Sequence, residues 1–91
     1  MKSRLHVIVF GIVQGVFFRA NTKEQADHLD ITGWVKNRTD GGVEIIAEGE
    51  KEKLESLLEW TKYGPTGARV TRHQFTWEDY KEEFDFFEIR R

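Results

Sequence analysis

The 91 residues are read as one domain spanning 1–91, long enough to bury a single hydrophobic core. No cysteine is present, which excludes disulfides, iron–sulfur clusters and thiolate catalysis. A net charge of −2 argues against broad nucleic-acid binding, and the lack of a signal-peptide pattern or a long apolar run makes a cytoplasmic protein with no membrane partner the expectation.

Residues 5–10 are β-branched and apolar. They predict a strand whose period of two turns Leu5, Val7 and Val9 toward the core. The strand runs into Gly11-Ile12-Val13-Gln14-Gly15-Val16-Phe17-Phe18-Arg19. Asn21 or Thr22 then caps a helix ending near residue 29, with Thr22 and Gln25 placed as a capping box. Thr22, Ala26 and Leu29 fall on one face of it. Residues 31–36 are a second strand, Thr39-Asp40-Gly41-Gly42 is a hairpin turn, and residues 43–48 are a third strand with Val43, Ile45 and Ala47 inward. A second helix spans 50–62, where Leu54, Leu57, Leu58 and Thr61 recur at helical spacing. Glu50 and Glu52 lie in its first turn and Lys62 in its last, as the helix dipole favours. Gly64-Pro65 ends it. Residues 68–77 read as a fourth strand and 84–89 as a short final one. Between 78 and 88 the acidic residues outnumber Lys81, which stands alone, and this reads as a solvated acidic face.

The order is β-α-β-β-α-β plus a short last strand. It predicts an α+β fold, a ferredoxin-like βαββαβ sandwich in which an antiparallel sheet carries two helices on one face. A right-handed crossover makes the first two strands parallel, with the third between them. Their C-terminal ends then share one edge of the sheet. That edge collects the 14–19 loop, the N-terminus of the first helix and Asn37.

Gly15 allows the loop to turn tightly and to bring its backbone near a ligand. Successive N–H groups of Gly15, Val16, Phe17, Phe18 and Arg19 can form a concave anion nest at the positive end of the helix. Arg19 adds a permanent charge and a planar, bidentate fork suited to phosphate. On these residues alone the plainer reading stays open. A loop glycine is usually a turn, a lone arginine a surface cation, and an asparagine at a strand end a turn former. His6, His28 and His73 show no metal-ligand spacing. Ser3 and Ser56 sit in no nucleophile elbow.

The 11–19 segment resembles the first signature of the acylphosphatases. Gly33-Trp34-Val35-Lys36-Asn37, followed by Gly41, Val43 and Gly49, is similar to the second. Phe87-Glu88-Ile89 resembles the family's ending, and Gly64-Pro65 and Ala68-Arg69-Val70 fall where the family has similar residues. Asp30 departs from the pattern, standing near the helix C-cap where the family often has glycine.

The resemblance implies hydrolysis of the carboxyl–phosphate bond of an acyl phosphate, with no metal and no cofactor. It implies a small-molecule acyl phosphate and inorganic phosphate as partners; a monomer is the expectation, and the sequence does not fix the oligomeric state. Arg19 and Asn37 are the catalytic residues it carries over. Arg19 and the loop amides would hold the phosphoryl oxygens, and Asn37 would orient the attacking water. An acyl phosphate has a good leaving group, so positioning and electrostatics suffice. Two rivals remain: a catalytically idle domain of the same kind that binds an acyl phosphate or docks onto a partner, and a ferredoxin-like RNA binder. The second needs strand-borne aromatics and a basic sheet face. Arg38 is either a plain surface charge or a second cation near the anion site.

Overall fold

Alternation in the first strand organises the whole molecule. In the computed structural model, which describes residues 1–91, β1 (Lys2–Ile12) buries Leu5, Val7 and Val9 completely on one side. It is followed by α1 (Phe18–His28), β2 (Thr32–Asn37), β3 (Val43–Glu50), α2 (Lys51–Thr61), β4 (Arg69–Glu78) and β5 (Phe87–Arg90). The sheet order is β4-β1-β3-β2-β5. The register sets Leu5 against Ala47, Val7 against Ile45 and Val9 against Val43, so both strands turn their apolar residues to one face. Val35 joins them from β2 opposite Ile45. Leu54, Leu57, Leu58 and Thr61 of α2 and Thr22 and Ala26 of α1 close the core on that face.

The expected topology holds, with β3 between the parallel pair β1 and β2. The sheet itself is mixed. β1, β3, β4 and β2 pair antiparallel, whereas β5 pairs parallel to β2. The final strand starts at Phe87 rather than 84, because Phe87 is the residue buried in the core and Phe86 is exposed.

The helix start is the larger correction. Neither Asn21 nor Thr22 caps α1, and the capping box with Gln25 does not form. The helix begins at Phe18, and its N-cap is Phe17, which makes no side-chain cap. Thr22 lies fully buried inside the helix and its hydroxyl donates to the Phe18 carbonyl at 2.7 Å. The Asn21 side-chain amide donates to the Phe17 carbonyl at 2.9 Å. At the other end Asp30 takes the left-handed conformation expected there, φ 55°.

The acidic stretch near the C-terminus is also more than a solvated face. Glu78 and Glu83 both pair with Arg4. The backbone N–H groups of Lys81 and Glu83 hold the buried Glu48 carboxylate at 2.7 and 3.0 Å. The segment between β4 and β5 is thus folded around a charge supplied by β3.

Candidate active site

Parallel β1 and β2 end at the same edge, and α1 begins there. A cavity of about 270 Å³ lies at this edge, lined by Val13, Gly15, Phe17, Phe18, Arg19, Ala20, Asn37 and Ile89. Four predicted site residues, Gly15, Phe17, Phe18 and Arg19, therefore meet Asn37 in one cavity. Val16 packs partly buried against the core instead of lining it, which leaves its backbone as the only part available to a ligand.

The loop presents donors and has nothing to give them to. None of the N–H groups of Gly15, Val16, Phe17, Phe18 and Arg19 donates to a backbone carbonyl; the first such bond in the helix is from Asn21 to Phe17. Helix starts normally fill these positions with a capping side chain. Here no side chain does so. Two left-handed residues shape the turn, Gly15 at φ 75° and Phe17 at φ 63°. For glycine this conformation is cheap. For phenylalanine it costs about 1–3 kcal/mol and needs the surrounding structure to hold it.

That support comes from below. Phe18 is almost fully buried and its ring lies 5.4 Å from that of Trp60 in α2. Burying a phenylalanine contributes roughly 1.5–3 kcal/mol, which anchors the end of the loop while Phe17 points outward. Gln14 fixes the other side. Its side-chain N–H₂ donates to the carbonyls of Arg38 and Gly42, both at 2.9 Å. One amide thereby ties the loop to the β2–β3 hairpin that follows Asn37. Reasoning along the chain missed this role, because Gln14 gains it only when two segments remote in sequence come together.

Arg19 pairs with no carboxylate. One of its amino groups donates to the Arg90 carbonyl at 3.2 Å, which orients the guanidinium from β5 and leaves most of its N–H groups unused. Its charge is therefore not offset within the protein. Asn37 reaches the cavity from the last position of β2. Its side-chain oxygen is buried and accepts no hydrogen bond. A buried acceptor left empty is costly.

Arg38 is differently placed. Its guanidinium donates to Asp40 at 3.0–3.1 Å and to Glu44 at 3.4 Å. Hydrogen bonding to Asp40 holds its pKa above the ordinary value and pulls that of Asp40 down. Asp40 also accepts the Gly42 N–H at 3.1 Å. Arg38 thus braces the hairpin, and its charge is largely met by two carboxylates. The histidines are engaged separately, His6 with Glu44 at 2.6 Å and His73 with Thr61 at 2.9 Å.

A family model described as Acylphosphatase matches residues 5–89. The chain belongs to the acylphosphatase family. It is 49% identical over 88 residues to an acylphosphatase of Pelotomaculum thermopropionicum, covering 97% of this chain and 96% of that protein. With an acylphosphatase of Geobacter sulfurreducens it shares 46% identity over 90 residues, 99% of each. The crystal structure of acylphosphatase from Bacillus subtilis superposes with a TM-score of 0.93 at 41% identity, with both chains fully covered. The acylphosphatase fold also occurs inside a larger protein. Full-length HypF, in a phosphate- and nucleotide-bound form, matches with a TM-score of 0.87 at 26% identity, and this chain spans 12% of it. No helix of the protein is long and apolar enough to cross a membrane.

Proposed function

We propose that this protein is an acylphosphatase in which Arg19, Asn37 and the 15–19 amides perform the hydrolysis. The observation that carries the reading is the complementary state of the two sides of one cavity. One side offers a guanidinium paired with no carboxylate and unused N–H donors, and the other the Asn37 side-chain amide. The first side fits the phosphoryl oxygens. The second fits a water, held by the Asn37 side-chain amide with a lone pair directed at phosphorus.

In the proposed reaction the water oxygen bonds to phosphorus as the bond from phosphorus to the acyl oxygen breaks. The electron pair of that bond leaves with the carboxylate. The proton released by the water passes to a phosphoryl oxygen, so inorganic phosphate and a carboxylate are the products. Charge grows on the leaving oxygen and redistributes over the phosphoryl group, and Arg19 with the loop amides opposes it at no cost in reorganisation. No general base of raised pKa is required, since the leaving group is a weak base and the phosphate itself takes the proton.

Release of inorganic phosphate from acetyl phosphate or benzoyl phosphate tests the reading. Catalytic turnover separates an enzyme from a domain that only binds the phosphoryl end. A rate unchanged by excess chelator supports the metal-free mechanism; a loss restored by Mg²⁺ or Zn²⁺ overturns it.

A further inference from the structure

Two side chains in the first turn of α1 do the reverse of capping. A cap accepts from the free N–H groups at a helix start. Asn21 and Thr22 donate instead, each to the carbonyl four residues earlier. The Phe17 carbonyl accepts from the backbone N–H of Asn21 at 3.0 Å and from its side-chain amide at 2.9 Å. The Phe18 carbonyl accepts the Thr22 hydroxyl at 2.7 Å. Each carbonyl belongs to one planar peptide unit with the N–H of the next residue, and in a trans unit the two groups point opposite ways. The chain has no cis peptide. A carbonyl held along the helix therefore turns the N–H of Phe18, or of Arg19, toward the helix start. Neither N–H has a backbone acceptor, and both residues line the cavity.

Phe17 needs this grip more than its neighbours. It stands at φ 63°, where a residue other than glycine is strained. Its ring is 78% exposed, so packing does not fix its backbone. Gly15, two residues earlier, is left-handed as well and offers no side chain to resist rotation. The Phe17–Phe18 peptide can turn about its flanking bonds while both side chains stay in place. That turn would swing the Phe18 N–H away and bring the Phe17 carbonyl oxygen to the cradle, where it repels an anion. The backbone N–H of Asn21 occupies one lone pair of this oxygen, and the side-chain amide occupies the second. We propose that Asn21 is a positioning residue of the cradle, whose side chain locks this peptide and keeps the Phe18 N–H aimed at the phosphoryl group. The inference rests on the acylphosphatase reading. Asn21 acts only through Phe17 and touches no reacting atom.

Thr22 shows how to test this, since its hydroxyl already reaches the carbonyl one turn back. Asn21→Thr keeps a donor for the Phe17 carbonyl; Asn21→Val has the same shape and none. Circular dichroism checks that both fold. Inhibition by inorganic phosphate and kcat/KM for acetyl phosphate are then compared. Asn21→Thr should stay close to the wild type in both. Removing a preorganised donor costs about 10²–10³ in rate, and a donor misaimed part of the time costs less, so Asn21→Val should lose about tenfold in both. NMR reads the amides directly. Added phosphate should move the Phe18 amide proton downfield in the wild type and in Asn21→Thr, and much less in Asn21→Val. The Arg19 amide, held through Thr22, should respond in all three. Loss of both responses together in Asn21→Val would mean a loosened helix and overturn the proposal. Equal phosphate affinity and equal Phe18 response in Asn21→Thr and Asn21→Val, with an active wild type, overturn it too and leave the enzyme reading standing. A wild type that binds phosphate without hydrolysing acetyl phosphate overturns the enzyme reading, and the difference between Asn21→Thr and Asn21→Val then supports the positioning role by itself. A wild type that binds no phosphate overturns both.

Discussion

Arg19 and Asn37 enter the cavity from different elements and with different chemistry, one a charged donor and one a neutral amide. Their removal should therefore fail in different ways. Asn37→Ala should cut kcat while leaving inhibition by inorganic phosphate close to normal, because in the proposed reaction the amide acts on water rather than on the phosphoryl group. Arg19→Ala should weaken phosphate binding and cut kcat together, since in the proposed reaction the guanidinium touches the anion before and during the chemistry. Loss of one preorganised group of this kind costs roughly 2.7–4 kcal/mol, or about 10²–10³ in rate. A folded Asn37→Ala with near-normal kcat would remove the water-orienting role. Wild-type phosphate inhibition in Arg19→Ala would remove the cradle. For Arg38 the geometry favours the plainer of its two readings, since Asp40 and Glu44 take up its charge.

Between elements, α1 and α2 meet through one packed point that bears on the cradle. The Phe18 ring lies against Trp60 and over Gly64, where an added β-carbon would come within 2.4 Å of the ring. Gly64 also sits at φ 71°. Gly64→Ala should thus destabilise the fold by about 1–3 kcal/mol through overpacking. It should also lower kcat, because Phe18 moves with the N–H groups of Phe18 and Arg19. Thermal melts and kinetics on the same sample check both; a destabilised variant with wild-type kcat would show the cradle to be independent of this contact. The same point marks how far the sequence is legible. The strands were readable because Leu5, Val7, Val9 and Val43, Ile45, Ala47 alternate, and α2 because Leu54, Leu57 and Leu58 repeat at its period. The start of α1 was not, since the local signal of Thr22 and Gln25 was overridden by the buried anchor Phe18. Arg19 and Asn37 were legible only through two long signatures. The tie made by Gln14, the orientation of Arg19 by the Arg90 carbonyl and the shared lining by Ile89 depend on contacts between distant segments, and no local pattern encodes them.

At the scale of the whole molecule, a buried charge holds the sheet together away from the cavity. Glu48 of β3 accepts from the N–H groups of Lys81 and Glu83 and from Arg4 of β1. Burial pushes its pKa up, but the Glu83 and Lys81 N–H groups and the Arg4 guanidinium outweigh it and leave the carboxyl below its ordinary range. A group whose folded pKa is depressed stabilises fully above its unfolded pKa, about 4.3 for glutamate, and loses that contribution as pH falls through the folded value. Glu48→Gln should be less stable than the wild type at pH 7 by about 1.5–3 kcal/mol, because its amide N–H₂ faces a backbone donor. The gap should narrow in acid, below the unfolded pKa, as the wild type also loses its charge. Urea unfolding at pH 7 and pH 3 measures this, and an equal gap at both would mean that the Glu48 charge contributes nothing. The unsatisfied amides at the head of α1 have a consequence for the entire fold. A helix without a cap leaves stability unrealised until something else supplies the missing acceptor, and in the proposed function that acceptor is the phosphate ligand. Product and fold are then thermodynamically linked: at a hundredfold excess over its Kd, inorganic phosphate adds about 2.7 kcal/mol to the native state. For a domain of this size that corresponds to a rise in Tm on the order of 10 °C. The rise should vanish in Arg19→Ala, so a melting curve recorded with and without phosphate reads occupancy of the cavity without any turnover.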